Sequence, residues 1–501
     1  MTTPPDGYLG VEGRITSGPA EELVATGYAW ELADADILHD GLDLADMAHV
    51  LELREAGVMP AAAAQALLAV LVDIHDRGPD AVDYDPVLGD AYNSRERFLE
   101  QALGATAGWL PTGRTRREAG RIAFRLRMMD ELCAAIRAAS SFGQALTCLA
   151  EEHATTTFND TTYLQPAQPS SVGHFLLAHA ASAVRDVERF TAALAWFDRS
   201  PAGVGGVAGT RIPLDRQRLA SRLGFSRVGV HTRDVMWSVD GCTDAVVAAS
   251  QAATTASRLA EDLEIWSSPQ FGLVDLDPSL CRASVLLPQK KNPYALAVLR
   301  AAASRLVGRA TGALTTQRTP SARTDNWLLT YGETFQAVSD ARAVLELAAK
   351  VVSTLTVNVD RAGADVGLHH TMATDLTEAL VLAAGVDYRS AYRIVAAAAA
   401  GGIGDGDATF RREVVADIAQ RAGRPDVADQ LWEAIRIEDV LEHRAGEGSA
   451  APDEVRTMAV SIRAQLRQYD EVAEDRVEAF GESRRRLVDE ARAVASRSLS
   501  A

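Results

Sequence analysis

Cysteine is scarce in this chain. The four residues, Cys133, Cys148, Cys242 and Cys281, stand in no CxxC or metal-type spacing, so neither a disulfide framework nor a cysteine zinc site organises the 501 residues. Few, scattered thiols fit a reducing compartment, and a cytoplasmic protein is expected. Met1 to Asp6 lacks the basic and apolar regions of a secretory signal. No apolar run reaches the ~20 residues needed to span a bilayer. Positive charge is in deficit: 50 Lys and Arg face 68 Asp and Glu, a net charge of -18. That balance argues against nucleic acid and against anionic membrane surfaces as partners. It leaves room for a small anionic substrate held by a local basic site. Phosphate-cradling GxxxxGK[ST] and dinucleotide fingerprints are missing, and the Gly203 to Gly209 run precedes no strand-helix unit.

Alternating β-branched runs are also rare, whereas Ala, Leu, Arg and Glu dominate. The periodicity predicts helices over Met47–Arg54, Pro60–Asp76, Arg117–Phe142 (continuing towards Ala154), Ser170–Phe197, Asp240–Trp266, Leu296–Thr315 and Gly332–Val357. Helices of this length bury their surface in a long bundle and against neighbouring subunits. An all-α homo-oligomer is therefore expected. The divisions expected are 1–112 as an N-terminal helical domain, 113–363 as a central long-helix bundle, and 364–501 as a small C-terminal domain of shorter helices. Glycine and proline gather in five candidate loops: Leu110–Arg117, Thr161–Pro169, Ser200–Thr210, Phe271–Pro293 and Gly401–Gly406.

The fourth loop carries the chemistry. Ser284 offers a hydroxyl, Lys290 and Lys291 cations, and Asn292 amide donors, while Pro288 and Pro293 restrict the backbone. Removing a proton beside a carboxylate needs a base and a cation to hold the resulting dianion. On composition alone, such a loop is as readily a solvated turn. Its order is more informative. Ala283 to Pro293 resembles the signature loop of the fumarase/aspartase/argininosuccinate lyase superfamily, Gly-Ser-Ser-x-Met-Pro-x-Lys-x-Asn-Pro. The Pro-Gln-Lys-Lys-Asn-Pro half matches the argininosuccinate lyase branch in full. Leu110–Arg116 resembles that branch's His-Thr-Gly-Arg-Ser-Arg segment, and Thr162–Pro169 its Thr-His-Leu-Gln-x-Ala-Gln-Pro. Ser200–Arg216 and Arg258–Gly272 resemble two further segments in the same order.

The resemblance implies a three-domain α-helical subunit and a homotetramer with a central helical bundle, each active site taking loops from three subunits. It implies a cofactor-free, metal-free β-elimination that releases fumarate. Ser284 and Lys290 are the catalytic candidates. Thr115, Arg116, Thr162, Gln165 and Asn292 are implied substrate contacts, with Tyr92, Asn93, Arg117, Tyr163 and Arg323 at positions where the chain departs from the pattern.

Those departures cluster at the site. The family's second-loop histidine is Tyr163 and its glutamate partner is Ala297. A second site histidine is Tyr92, in Tyr92-Asn93-Ser94-Arg95-Glu96-Arg97. The asparagine of loop one is Arg117, and the arginine-binding Tyr-Asn-x-Asp-x-Gln segment reads Arg323-Thr324-Asp325-Asn326-Trp327-Leu328. A guanidinium-bearing substrate is disfavoured by Arg117 and Arg323, which either face a more anionic ligand or pair locally with acids such as Glu118 and Asp325. Loss of the histidine–glutamate pair favours a leaving group that departs as a stable anion, such as nitrite from a nitrosuccinate, or an electron-poor nitrogen in specialised metabolism. The alternatives are a cycloisomerase or other elimination without fumarate release, and a catalytically inactive scaffold protein. His49, His153, His174, His179, His231 and the His369-His370 pair are read as structural.

Overall fold

Helix α4 (Arg116–Glu152) is the axis of the molecule. The structure, a computed structural model, describes residues 17–319, 322–400 and 409–497. The Gly401–Gly406 loop and the Met1–Asp6 segment lie outside the described residues. Thr115 caps α4 by accepting from the Glu118 amide, and no proline interrupts the 37 residues. At 1.5 Å per residue α4 is about 55 Å long. An 18-residue window of α4 is apolar enough to cross a membrane, but 67% of it is buried inside the protein, so α4 is a core helix.

The other long helices wrap α4 in alternating directions. Helix α5 (Val172–Phe197) runs antiparallel to it: the Gly173 amide meets His153 O at one end and Arg125 reaches Trp196 O at the other. A Cβ at Gly173 would stand 2.4 Å from Ala150 O, so only glycine permits this approach. Helix α6 (Asp240–Trp266) and helix α7 (Tyr294–Gln317) are antiparallel partners, tied by Gln317–Asp240 and Arg300–Glu264 contacts. Helix α8 (Thr330–Ser353) runs parallel to α4, with Arg121 on the Tyr331 hydroxyl and Arg342 on Glu131. Before the bundle come α1 (Ala35–Glu55), α2 (Ala61–Arg77) and α3 (Ala91–Leu103).

The long helices occur where the hydrophobic pattern puts them, and the fold is predominantly helical. Two differences from the sequence reading are instructive. Thr161–Pro169 is not an irregular loop: strands β1 (Thr157–Thr162) and β2 (Gln165–Ser171) form an antiparallel hairpin. Its threonines favour extended backbone, and Pro166 and Pro169 exclude helix. The two-residue turn has Tyr163 at φ 56° and Leu164 at φ 57°, as a type I′ turn demands.

The second difference is at the C-terminus. Residues from Met372 to Ala450 build a separate apolar core around Leu376, Leu380, Ile418, Leu431 and Val440, on short helices. The chain does not stay short, however. Helix α9 (Pro452–Ala495) has 44 residues and returns to the main core, antiparallel to α4, through Arg484–Asp130 and Arg463–Glu151. The cause is a stripe of buried positions recurring every seven residues, Ala459, Leu466, Ala473, Phe480, Leu487 and Val494.

Candidate active site

The signature segment is a small hairpin. Strand β4 (Arg282–Ala283) pairs with strand β5 (Lys291–Asn292), β3 being Val274–Asp275, and projects residues 284–290 outward. Val285 and Leu286 at its tip are exposed. The Ser284 Oγ accepts the Leu287 amide at 3.0 Å. A donor aimed at this oxygen favours its ionised form, which a serine base requires.

The two lysines differ. Lys291 Nζ donates to Asp275 Oδ1 at 2.9 Å and to Leu276 O at 2.6 Å, fixing the hairpin to β3. Lys290 has no side-chain partner among the described residues. Asn292 spends one amide hydrogen on Arg282 O at 2.8 Å, across the hairpin, and so has a structural duty besides any contact with substrate.

The β1–β2 hairpin stands at the same end of the bundle. Phe158 packs edge-on against Phe175 and Trp266, with ring centroids 6.2 and 5.4 Å apart, and Asn159 donates to Asp365 O. Its turn presents Thr162, Tyr163 and Gln165 to the exterior, Tyr163 being 99% exposed. Ala297, on the first turns of α7, is exposed and offers no acid.

The remaining candidates lie at the opposite end of α4. Arg117 does not pair with Glu118. Its guanidinium grips the Glu31 carboxylate with two bonds of 3.1 and 3.0 Å and lies 3.9 Å from Asp90. Arg116 is 3.6 Å from Asp90. The expected anion-binding role of Arg117 therefore competes with a two-bond partner already in place. Tyr92 is buried, its hydroxyl has no hydrogen-bond partner among the described residues, and burial raises its pKa far above that of an ordinary phenol. Asn93 donates from Nδ2 to Leu88 O at 2.7 Å and holds the preceding turn. Arg323 is exposed and forms no ion pair among the described residues. Glu31, Asp34, Asp90, Tyr92, Arg116 and Arg117 share one cleft with Trp327 and Tyr331. Burial pushes the Asp34 carboxyl there up to about 7.

Glu118, read from the sequence only as a local partner for arginine, has a different role. Its two oxygens accept the Gly203 and Gly205 amides, each at 2.7 Å, and so anchor the Ser200–Thr210 loop to α4. Burial pushes its pKa up to about 7, against the opposing pull of Arg114 and the two amides. The available signal was the Thr115-x-x-Glu118 spacing of a capping box, although here the glutamate turns to another loop. The histidines take local roles: His49 meets Thr112 O, His153 meets Thr156, and His174 meets Gly448 O.

One chain thus gathers Ser284, Lys290, Asn292, Thr162, Tyr163 and Gln165 at one end of the bundle. It leaves Thr115, Arg116, Arg117, Tyr92, Asn93 and Arg323 at the other, with the length of the connecting helices between them.

Comparison with known proteins identifies the family. A family model described as Lyase matches residues 34–308. The argininosuccinate lyase of Frankia casuarinae is 31% identical over 461 residues, covering 91% of this chain and 97% of that protein. The chain belongs to the fumarase/aspartase/argininosuccinate lyase superfamily. It is a lyase of that superfamily. The argininosuccinate lyase of Methanoculleus marisnigri is 33% identical over 391 residues, covering 77% of this chain and 78% of its own. A variant of EDDS lyase with bound fumarate superposes with a TM-score of 0.81 at 25% identity, covering 98% of both chains. The superfamily's long-helix subunit is therefore preserved along almost the whole length.

Proposed function

We propose that this lyase eliminates a nitrogen-linked group from a substituted succinate and releases fumarate, with a substrate other than argininosuccinate. The observation that carries the reading is the projecting hairpin, in which Ser284 accepts an amide and Lys290 is uncommitted while the adjacent Lys291 is tied down. Ser284, as its alkoxide, takes the proton from the carbon next to a carboxylate. The electron pair moves into that carboxylate to give a dianion, which Lys290, Asn292 and Thr162 hold. Collapse of the dianion forms the double bond and breaks the bond to nitrogen, whose electron pair leaves with the departing group.

With Tyr163 and Ala297 in place of the histidine–glutamate pair, the departing group receives no strong acid. A nitrite-like or electron-poor nitrogen leaving group suits such a site. Arg323 supports an anionic feature on that group. Arg117 supports it less, because Glu31 already neutralises it.

The two sets of site residues meet only if neighbouring subunits supply opposite bundle ends, so we assign the working unit as a homotetramer with shared sites. Exposed Val307 and Leu314 on α7, and Leu329 beside it, offer apolar surface for that assembly. The test is to incubate the protein with fumarate and a panel of amines, hydroxylamine, hydrazine and nitrite, following absorbance in the fumarate band. Consumption of fumarate with one partner supports the proposal. No change with any partner favours an elimination without fumarate or an inactive scaffold. Mixing Ser284→Ala with Arg116→Ala chains tests sharing: recovered activity requires sites built from both.

A further inference from the structure

The N-terminal helices hold a cluster that the elimination does not use. His39 and Asp43 are one turn apart on α1, and both side chains are fully buried. His39 Nδ1 lies 2.6 Å from the Tyr84 hydroxyl, which sets the ring plane. The opposite nitrogen, Nε2, is buried without a hydrogen-bond partner and faces Asp43 Oδ2 at 3.6 Å. That separation is beyond a hydrogen bond. From α2, His75 Nδ1 lies 3.3 Å from the same Oδ2. Asp40 adds an exposed carboxylate, and donor atoms of His39, Asp40 and Asp43 all lie within 4.8 Å of one another. Arg95 takes the other oxygen of Asp43 at 2.5 Å and keeps the carboxylate oriented.

A buried ring nitrogen beside a carboxylate, yet bonded to nothing, calls for an explanation. The separations supply one. Donors around a tetrahedral ion with bonds of ~2.0–2.1 Å stand roughly 3.4 Å apart, and the 3.6 Å between His39 Nε2 and Asp43 Oδ2 is close to that edge. The Tyr84 and Arg95 contacts are the outer partners that orient ligating imidazole and carboxylate groups. An imidazole with two carboxylates suits zinc and its first-row neighbours, whereas magnesium and calcium take oxygen donors alone. His75, with its side chain 28% exposed, and Asp40 leave an entry path.

We propose that His39 Nε2, Asp43 Oδ2 and the Asp40 carboxylate bind one divalent transition-metal ion of the zinc class, with His75, hydrogen-bonded to Asp43, as the outer contact that ties the site to α2. The ion is remote from Ser284 and takes no part in the elimination. It reaches loop one through a buried chain in which Asp43 meets Arg95, Arg95 meets Asp46 at 3.4 Å, and Asp46 meets Arg114 at 2.5 Å. Its effect is on the rigidity of that end.

The experiment uses the full chain, stripped with a chelator, then titrated with Co²⁺ and Zn²⁺. One Co²⁺ per chain is expected, with the visible absorption of a tetrahedral nitrogen–oxygen site, displaced by one equivalent of Zn²⁺. Zn²⁺ should raise the Tm. His39→Gln and His75→Gln should each weaken binding at least ~10-fold, on the scale set by loss of even an outer partner, while His231→Gln leaves it unchanged. His75→Gln alters a partly exposed side chain and keeps the test valid if His39→Gln does not fold. Absence of saturable binding by the parent chain, or equal binding by His75→Gln, overturns the proposal.

Discussion

The two ends of the α4 bundle are built on opposite principles. At the Ser284 end, the side chains assigned to chemistry are exposed and lightly engaged: Lys290 and Tyr163 have no partner among the described residues, and Ser284 is held by one amide. At the Arg116 end, charge is bound to charge. Arg95 and Arg114 are buried with Asp43 and Asp46, Arg117 grips Glu31, and Glu118 is closed over two glycine amides. A guanidinium that already holds a buried carboxylate can be lent to substrate only by exposing its partner. The first end is therefore suited to proton transfer, and the second, Arg116 and Arg323 apart, to shape.

The sharpest way to break this contrast is at Ser284. Ser284→Ala should lower turnover ~10²–10⁴-fold, the range for a positioned proton-transfer group, while leaving Tm and the helical circular dichroism unchanged. A comparable fall in Tm would make the hairpin structural and reverse the assignment. The mirror experiment is Arg114→Met, which leaves Asp46 in the core with only the longer, 3.4 Å contact to Arg95. Breaking a buried pair typically costs about 3–5 kcal/mol, so urea unfolding should show a loss of that size. A loss below about 1 kcal/mol would mean that the network is not holding the end together.

How much of this could be read beforehand differs between the ends for a physical reason. The Ser284 segment could be singled out as a loop because its motif is a contiguous run, Pro288 to Pro293, although its pairing as a hairpin was not read. The Arg116 end was legible as a loop but not in its partners. Glu31 lies 86 residues from Arg117, and Glu118 serves a loop 85 residues downstream, so local spacing said nothing of either pairing. Helix α9 was missed although its sequence announces it: Ala459, Leu466, Ala473, Phe480, Leu487 and Val494 recur every seven residues. The β1–β2 hairpin was missed because a turn with two left-handed residues is usually signalled by Asn or Gly, and this one uses Tyr163 and Leu164.

A smaller effect tests whether the charged end tightens with pH. Burial raises Asp34 to about 7 from 3.8 in the unfolded chain. The folded state therefore holds this proton more tightly. Its contribution is complete below about pH 3.8 and is lost as pH rises through about 7. Asp34→Asn keeps an acceptor for the Gly332 amide but cannot ionise. The variant should gain on the order of 2 kcal/mol relative to the parent between pH 4 and pH 8. Parallel stability curves across that range would show that Asp34 is solvated after all.

The smallest expected effect is the most informative about the leaving group. Tyr163 and Tyr92 replace histidines of the superfamily pattern, but they occupy contrary settings. Tyr163 projects into solvent at a turn, and Tyr92 is sealed in the core with a phenol far too weak an acid for neutral pH. If the departing group leaves as a stable anion, neither hydroxyl is needed. The Tyr163→Phe/Tyr92→Phe double variant should then keep turnover within about tenfold, equivalent to ~1.4 kcal/mol in barrier, at unchanged Tm. A loss approaching the ~10²-fold of a true general acid would give one tyrosine the histidine's task. It would also return ordinary amines, which need a proton to leave, to the list of products.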